Sequence, residues 1–220
     1  MATSLCIASI DWAATGAMLQ GWGTLAGVGA VIWAAHKGAS TFDNWRKQKI
    51  AERKQEQAER ILIATYKYRR ALESVRVYIT LPHERHAAEY QLKEEDGWSQ
   101  LAESLQKRLV TAQVFYNRIN HIKDEVAELD QCLPMARALF GEELEHALLE
   151  LYKQFRIVWV HVNSYADDQD GTDEEFTAKI NRVMYDVTPP KGEVNEVTQA
   201  TETSVDAIER ICLPVLRLEA

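Results

Sequence analysis

The sequence predicts an all-α protein: an N-terminal transmembrane helix followed by a long-helix antiparallel cytoplasmic bundle. Three observations predict it. The 24 residues from Trp12 to Ala35 carry no charged side chain. Beyond them, apolar residues recur at steps of three and four over long runs, the period of a helix buried along one face. No segment sustains the period-two alternation of a strand, so no sheet is expected.

The uncharged stretch exceeds the roughly 20 residues that cross a hydrocarbon core. Trp12 and Trp33 lie 21 positions apart, roughly 31 Å along a helix, the separation of two interfacial aromatic belts. They are the expected interface anchors. Only Asp11 precedes the span, whereas Lys37, Arg46, Lys47, Lys49, Arg53 and Lys54 follow it. The positive-inside rule then places the short N-terminus outside and the rest in the cytoplasm, at a cell inner membrane. The same six cations are the expected contacts with the membrane surface. The organisation that follows is a short extracytoplasmic N-terminus over 1–11, a transmembrane helix over 12–36, a basic juxtamembrane helical segment over 37–57, and a cytoplasmic helical bundle over 58–220.

One face of the span is made of small residues. Ala13, Gly16, Gln20, Gly23, Gly27, Ala30 and Ala34 recur at alternating steps of three and four. In lipid, close backbone approach and interhelical hydrogen bonds associate helices, because apolar bulk gains nothing by leaving the tails. The seam therefore predicts self-association, and a homo-oligomer is the expected assembly.

The first cytoplasmic helix is expected from about Thr41 to Thr80. Its stripe is Ala58, Ile61, Thr65, Tyr68, Leu72, Val75 and Ile79, and Pro82 stops it. His83 to Gly97 is polar and reads as a loop or a short helix. A second long helix is expected from about Trp98 to Leu133, its stripe running from Leu101 to Leu133 and interrupted by Arg108. Pro134 marks a break. The third helix, about Gly141 to Tyr165, carries Leu144, Leu148, Leu151, Phe155, Val158, Val162 and Tyr165 without a miss. Ile157, Trp159 and Val160 widen that stripe, as a central bundle helix requires. Ala166 to Asp173 is an acidic turn, and Thr172 with Glu175 forms a capping box for a short helix bearing Phe176, Ile180 and Val183. Pro189-Pro190-Lys191-Gly192 is a turn. A last helix from about Glu193 to Leu213 presents Val194, Val197, Val205, Ile208 and Cys212. Long helices with short connections imply four main antiparallel helices.

Phe42-Asp43-Asn44-Trp45-Arg46-Lys47-Gln48-Lys49, then Ala58-Glu59-Arg60-Ile61-Leu62 and Thr65-Tyr66-Lys67, resemble small uncharacterised single-span bacterial membrane proteins. The resemblance covers about the first third of the chain. It implies a bacterial inner-membrane setting and carries over no activity and no site.

The chain's net charge of −8 is unevenly spread. From His36 to Thr80 there are 11 Lys and Arg against 5 Asp and Glu; from Asn163 to Ala220 there are 5 against 13. A charged surface near a membrane is the expectation from such asymmetry. Cys6, Cys132 and Cys212 are odd in number and far apart, which fits neither a disulfide framework nor a zinc site.

The candidate chemical motifs each fall short. His83-Glu84-Arg85-His86, with Glu89 as a conceivable third ligand, is one residue short of H-E-x-x-H. Glu143-Leu144-Glu145-His146 supplies one E-x-x-H where a di-iron bundle needs two. Asp167-Asp168-Gln169-Asp170-Gly171 lacks the acidic first and twelfth positions of a calcium loop. Tyr66-Lys67-Tyr68-Arg69-Arg70 interleaves aromatics and cations, yet Tyr68 belongs to the core stripe, so nucleic-acid binding is not expected. Arg108 either pairs with an acid across the bundle or marks where its stripe turns to solvent. No G-x-S-x-G, P-loop or dinucleotide fingerprint is present. The expectation is a non-enzymatic interaction or scaffold module, without catalytic residues, metal or cofactor, presenting its bundle to a cytoplasmic protein partner. The alternative is a membrane-perturbing or pore-forming effector of a bacterial stress or phage-defence system, gated by that bundle.

Overall fold

The computed structural model describes residues 12–167, 174–187 and 194–217, and of residues 12–26 and 39–40 the backbone alone. Every regular element among them is helical: α1 (Trp12–Val75), α2 (Pro82–Lys93), a 3-10 turn (Trp98–Gln100), α3 (Glu103–His121), α4 (Lys123–Phe140), α5 (Glu142–Asp167), α6 (Glu174–Met184) and α7 (Glu196–Leu216). The expected all-helical bundle is what the chain forms. Two compact units divide between Glu52 and Arg53.

In the first unit, every described side chain from Gly27 to Ile50 is exposed. Among the described residues no helix is long and apolar enough to cross a membrane, so the transmembrane helix expected over 12–36 is not found there. The physical reason is composition. Gly27, Gly29, Ala30 and Ala34 alternate with Val28, Val31 and Ile32, and small side chains contribute little apolar area per turn.

The second unit is organised around α5. This helix packs against α3, α4, α6 and α7, as its unbroken apolar stripe requires. Leu144, Leu148, Leu151 and Val158 meet Ile61, Tyr68 and Leu72 of α1, Phe115 of α3, Leu129 of α4, Met184 of α6 and Ile208 of α7 in one buried cluster. Each such side chain contributes about 1.5–3 kcal/mol by leaving water. Ala88, Leu92, Val110 and Val114 form a smaller cluster between α2 and α3.

Several boundaries differ from the sequence reading. The first helix ends at Val75 rather than Thr80, and Ile79 is 66% exposed. Residues 77–81 are held outside the helix by Arg118, described below. Pro82 does not merely stop a helix. It sits at the first turn of α2, where its missing N–H costs nothing and its fixed φ suits the start. The single helix expected from Trp98 to Leu133 is divided at Ile122, whose φ and ψ are −101° and 12°. Periodicity is blind to this break because Ile119, Ile122 and Val126 are all buried and keep their spacing across it. Conversely, α4 continues through Pro134 to Phe140. Pro134 and Asp130 are both exposed, so the carbonyl that loses its helical donor faces water. On α5, Trp159 and Val160 are each 44% exposed and do not widen the buried stripe; Phe176 and Val194 are likewise exposed. Their neighbours Ile180, Val183, Met184 and Val197 are buried instead. The acidic turn from Ala166, the Thr172 capping box and the Pro189 turn fall wholly or mostly outside the described residues.

Candidate docking groove

The 64-residue α1 ends on two arginines that sequence inspection passes over. Arg76 is 3% exposed. Its guanidinium donates to the Val183 carbonyl at 2.9 Å, the Asn195 Oδ1 at 2.8 Å, the Thr198 Oγ1 at 3.0 Å and the Tyr185 carbonyl at 3.3 Å. Asp186 stands 3.6 Å away and donates its own N–H to the Arg76 carbonyl. One cation thus ties the end of α1 to the end of α6 and the start of α7. Asn195 completes the joint by accepting from Thr198 N as the α7 N-cap. Burial holds the Arg76 pKa below its ordinary value, with Asp186 opposing, yet it stays far above neutrality.

Arg118 of α3 clasps the α1–α2 connection. It makes a two-pronged pair with Glu84, Nε to Oε1 and Nη2 to Oε2, both at 2.8 Å. Its remaining donors reach the carbonyls of Val77 at 2.7 Å, Ile79 at 2.9 Å and Val75 at 3.3 Å. All its N–H groups are used, which is what a planar fork can do and a lysine cannot. Glu84 also accepts from Leu81 N, capping α2. Hydrogen bonding from Arg118 holds the Glu84 carboxyl down to about 2, against the raising effect of its burial.

This clasp lines an open groove of about 670 Å³. Val77, Ile79 and Leu81 form one wall, His83, Glu84 and Ala87 of α2 another, and Val114, Asn117, Arg118 and His121 of α3 the third. Val77, Ile79 and Leu81 are 45%, 66% and 48% exposed. Each alone is unremarkable. Three consecutive alternate positions beside a concavity make an interaction patch. Tyr78, 68% exposed, leans on Tyr185, which in turn meets Phe115 edge-on.

The sequence-derived candidates are placed as follows. Gly27, Ala30 and Ala34 of the small-residue seam lie exposed on α1, and a Cβ at Gly27 would meet nothing within 4 Å. The side chains of Ala13, Gly16, Gln20 and Gly23, and that of Trp12, lie outside the described residues. Trp33 is 66% exposed, with the Lys37 ammonium 5.9 Å from its ring centre. Lys37, Arg46, Lys47, Lys49 and Arg53 are exposed and Lys54 is half-buried; Lys49 pairs with Glu52.

Of the metal-like turn, His83 lines the groove, Glu84 is committed to Arg118 and Glu89 pairs with Lys93. Glu143 is engaged by Arg210, and His146 lines a separate groove between α5 and α7. Among the described residues no three His, Cys, Asp or Glu side chains assemble as metal ligands. The basic-aromatic run is spent on packing: Tyr66 donates to Glu209, Lys67 pairs with Glu128 and Arg69 with Glu73. Arg108 lies 5.8 Å from the Tyr165 ring centre, and its buried Nη1 has no hydrogen-bond partner among the described residues. Burial pushes the Cys212 thiol up to about 12 and raises Cys132 as well, so neither is a ready nucleophile. No family model, curated protein or solved structure matches the chain.

Proposed function

We propose that the protein is a membrane-anchored, self-associating helical scaffold without catalysis, whose bundle offers the groove beside Arg118 to a cytoplasmic protein partner. The observation that carries this reading is the row of large apolar side chains left exposed along the first unit. Val28, Val31, Ile32, Trp33, Phe42 and Trp45 are between 53% and 69% exposed. Such a row on a single helix calls for lipid or other helices to cover it. Residues 12–36 supply the anchor in this reading, with the N-terminus outside. Small side chains at Gly27, Ala30 and Ala34 supply the face on which copies approach closely.

The test is the mass of the full chain in mild detergent, compared with a Gly27→Ile, Ala34→Ile variant. An oligomer that falls to a monomer in the variant supports the seam. A wild-type monomer would sink self-association and leave the helix a tether only.

A further inference from the structure

We infer that the segment of α1 from Phe42 to Ile50 is a recognition site for anionic phospholipid headgroups, a membrane contact that does not require the preceding helix to cross the bilayer. It deepens the membrane reading above by naming the lipid class and by separating charge-dependent contact from insertion.

The inference starts from the geometry of one helix face. Phe42, Arg46 and Lys49 follow at steps of four and three and so form one line along α1. Trp45 flanks that line, its ring centre 5.8 Å from that of Phe42. Ile50 flanks the other side. Phe42, Trp45 and Ile50 are 61%, 53% and 45% exposed. An aromatic pair and an aliphatic side chain interleaved with cations is the composition of a helix face that sits at a headgroup layer. Its rings reach the acyl boundary while long cationic stems carry their charge to the phosphates.

Charge complementarity decides the occupant. From Lys37 to Lys54 the chain has six Lys or Arg against Asp43 and Glu52, and Glu52 is occupied by Lys49 and Gln48. A second copy of the same segment would bring like charges together. An anionic leaflet removes that repulsion and adds roughly fivefold in partition for each cation near its surface. Contact should therefore weaken steeply with salt.

The full chain is reconstituted into phosphatidylcholine bilayers, with or without phosphatidylglycerol, carrying brominated acyl chains. The readout is quenching of the fluorescence that disappears in Trp45→Phe. Trp45-dependent quenching is expected in bilayers containing phosphatidylglycerol. It should be absent in phosphatidylcholine alone, abolished by high salt, and reduced at least tenfold in apparent contact by Arg46→Gln, Lys47→Gln, Lys49→Gln. Equal quenching in both bilayers, no quenching in either, or salt-dependent binding of duplex DNA in place of lipid would overturn the inference. Retention of the protein in the bilayer at high salt reports the crossing helix separately. Release with intact Trp45 contact at low salt sinks the anchor and keeps the lipid site.

Discussion

Replacing Arg76 with methionine removes a cation whose bonds can be counted one by one. Of its acceptors, the Tyr185 carbonyl keeps a donor from Asn195 Nδ2 at 3.3 Å, and Asn195 Oδ1 keeps Thr198 N. Thr198 Oγ1 keeps its bond to Asp186. The Val183 carbonyl, whose partner is Arg76 Nε, is left without one, at about 1–3 kcal/mol. Asp186 is 38% exposed, so it rehydrates, and the 3–5 kcal/mol penalty of stranding a buried charge does not apply in full. Methionine fills the stem volume and no longer carries a charge that must be desolvated. The net expectation is about 2 kcal/mol of destabilisation. Arg76→Ala, which also loses the stem's packing, should cost about 1 kcal/mol more. Urea unfolding of the full chain in one detergent, followed by near-ultraviolet dichroism, gives the difference in free energy. Amide exchange then locates it: α6 residues 180–184 should lose protection while residues 144–158 of α5 keep theirs. A change below about 0.5 kcal/mol, or a loss of protection shared equally by both helices, would refute the view that Arg76 is a local joint between α1, α6 and α7.

Other outcomes follow from single contacts. Glu84, with a folded pKa of about 2 against an ordinary 4.5, contributes stability that is fully present above the ordinary value and is lost as pH falls through the folded one. The clasp should therefore lose on the order of 2 kcal/mol between about pH 4.5 and pH 2, and a Glu84→Gln chain should show a flatter unfolding profile across that window. Gly141 joins α4 to α5 at φ +93° and ψ −172°, a region other residues avoid. No atom stands within 4 Å of a built Cβ, so Gly141→Ala should cost about 1–3 kcal/mol through backbone strain alone, and a neutral thermal-melt result would contradict that backbone geometry. The Tyr68 hydroxyl donates to the Leu151 carbonyl at 3.0 Å and accepts from Phe155 N at 3.2 Å. These two groups are helical partners of each other, so Tyr68→Phe lets them pair and should cost only about 1 kcal/mol. A loss above about 3 kcal/mol would mean the hydroxyl does more than bridge that turn.

Helix type and the buried stripes were legible because burial on one face leaves a period of three and four that local sequence carries. Ala58 to Val75, Phe115 to Leu129 and Leu144 to Val162 were read with few misses. The ends of helices were not legible. Ile79 and Trp159 continue the apolar pattern in sequence, yet nothing packs over them, and no local signal marks where a partner helix stops. The groove was legible only as a polar turn after Pro82. His83-Glu84-Arg85-His86 drew attention as possible ligands, while the residue that decides Glu84's role, Arg118, lies 34 positions away.

By itself, then, the sequence determined an all-helical chain, the faces its helices bury, a charge-free opening stretch and a basic segment after it. Periodicity and charge are written residue by residue. The tertiary structure decided what no short window holds: that Arg76 and Arg118 spend their donors on carbonyls from distant segments, and that Val77, Ile79 and Leu81 are left outside the core. Those outcomes depend on which side chains meet across the bundle, and long-range contact, unlike periodicity, has no spacing rule in sequence.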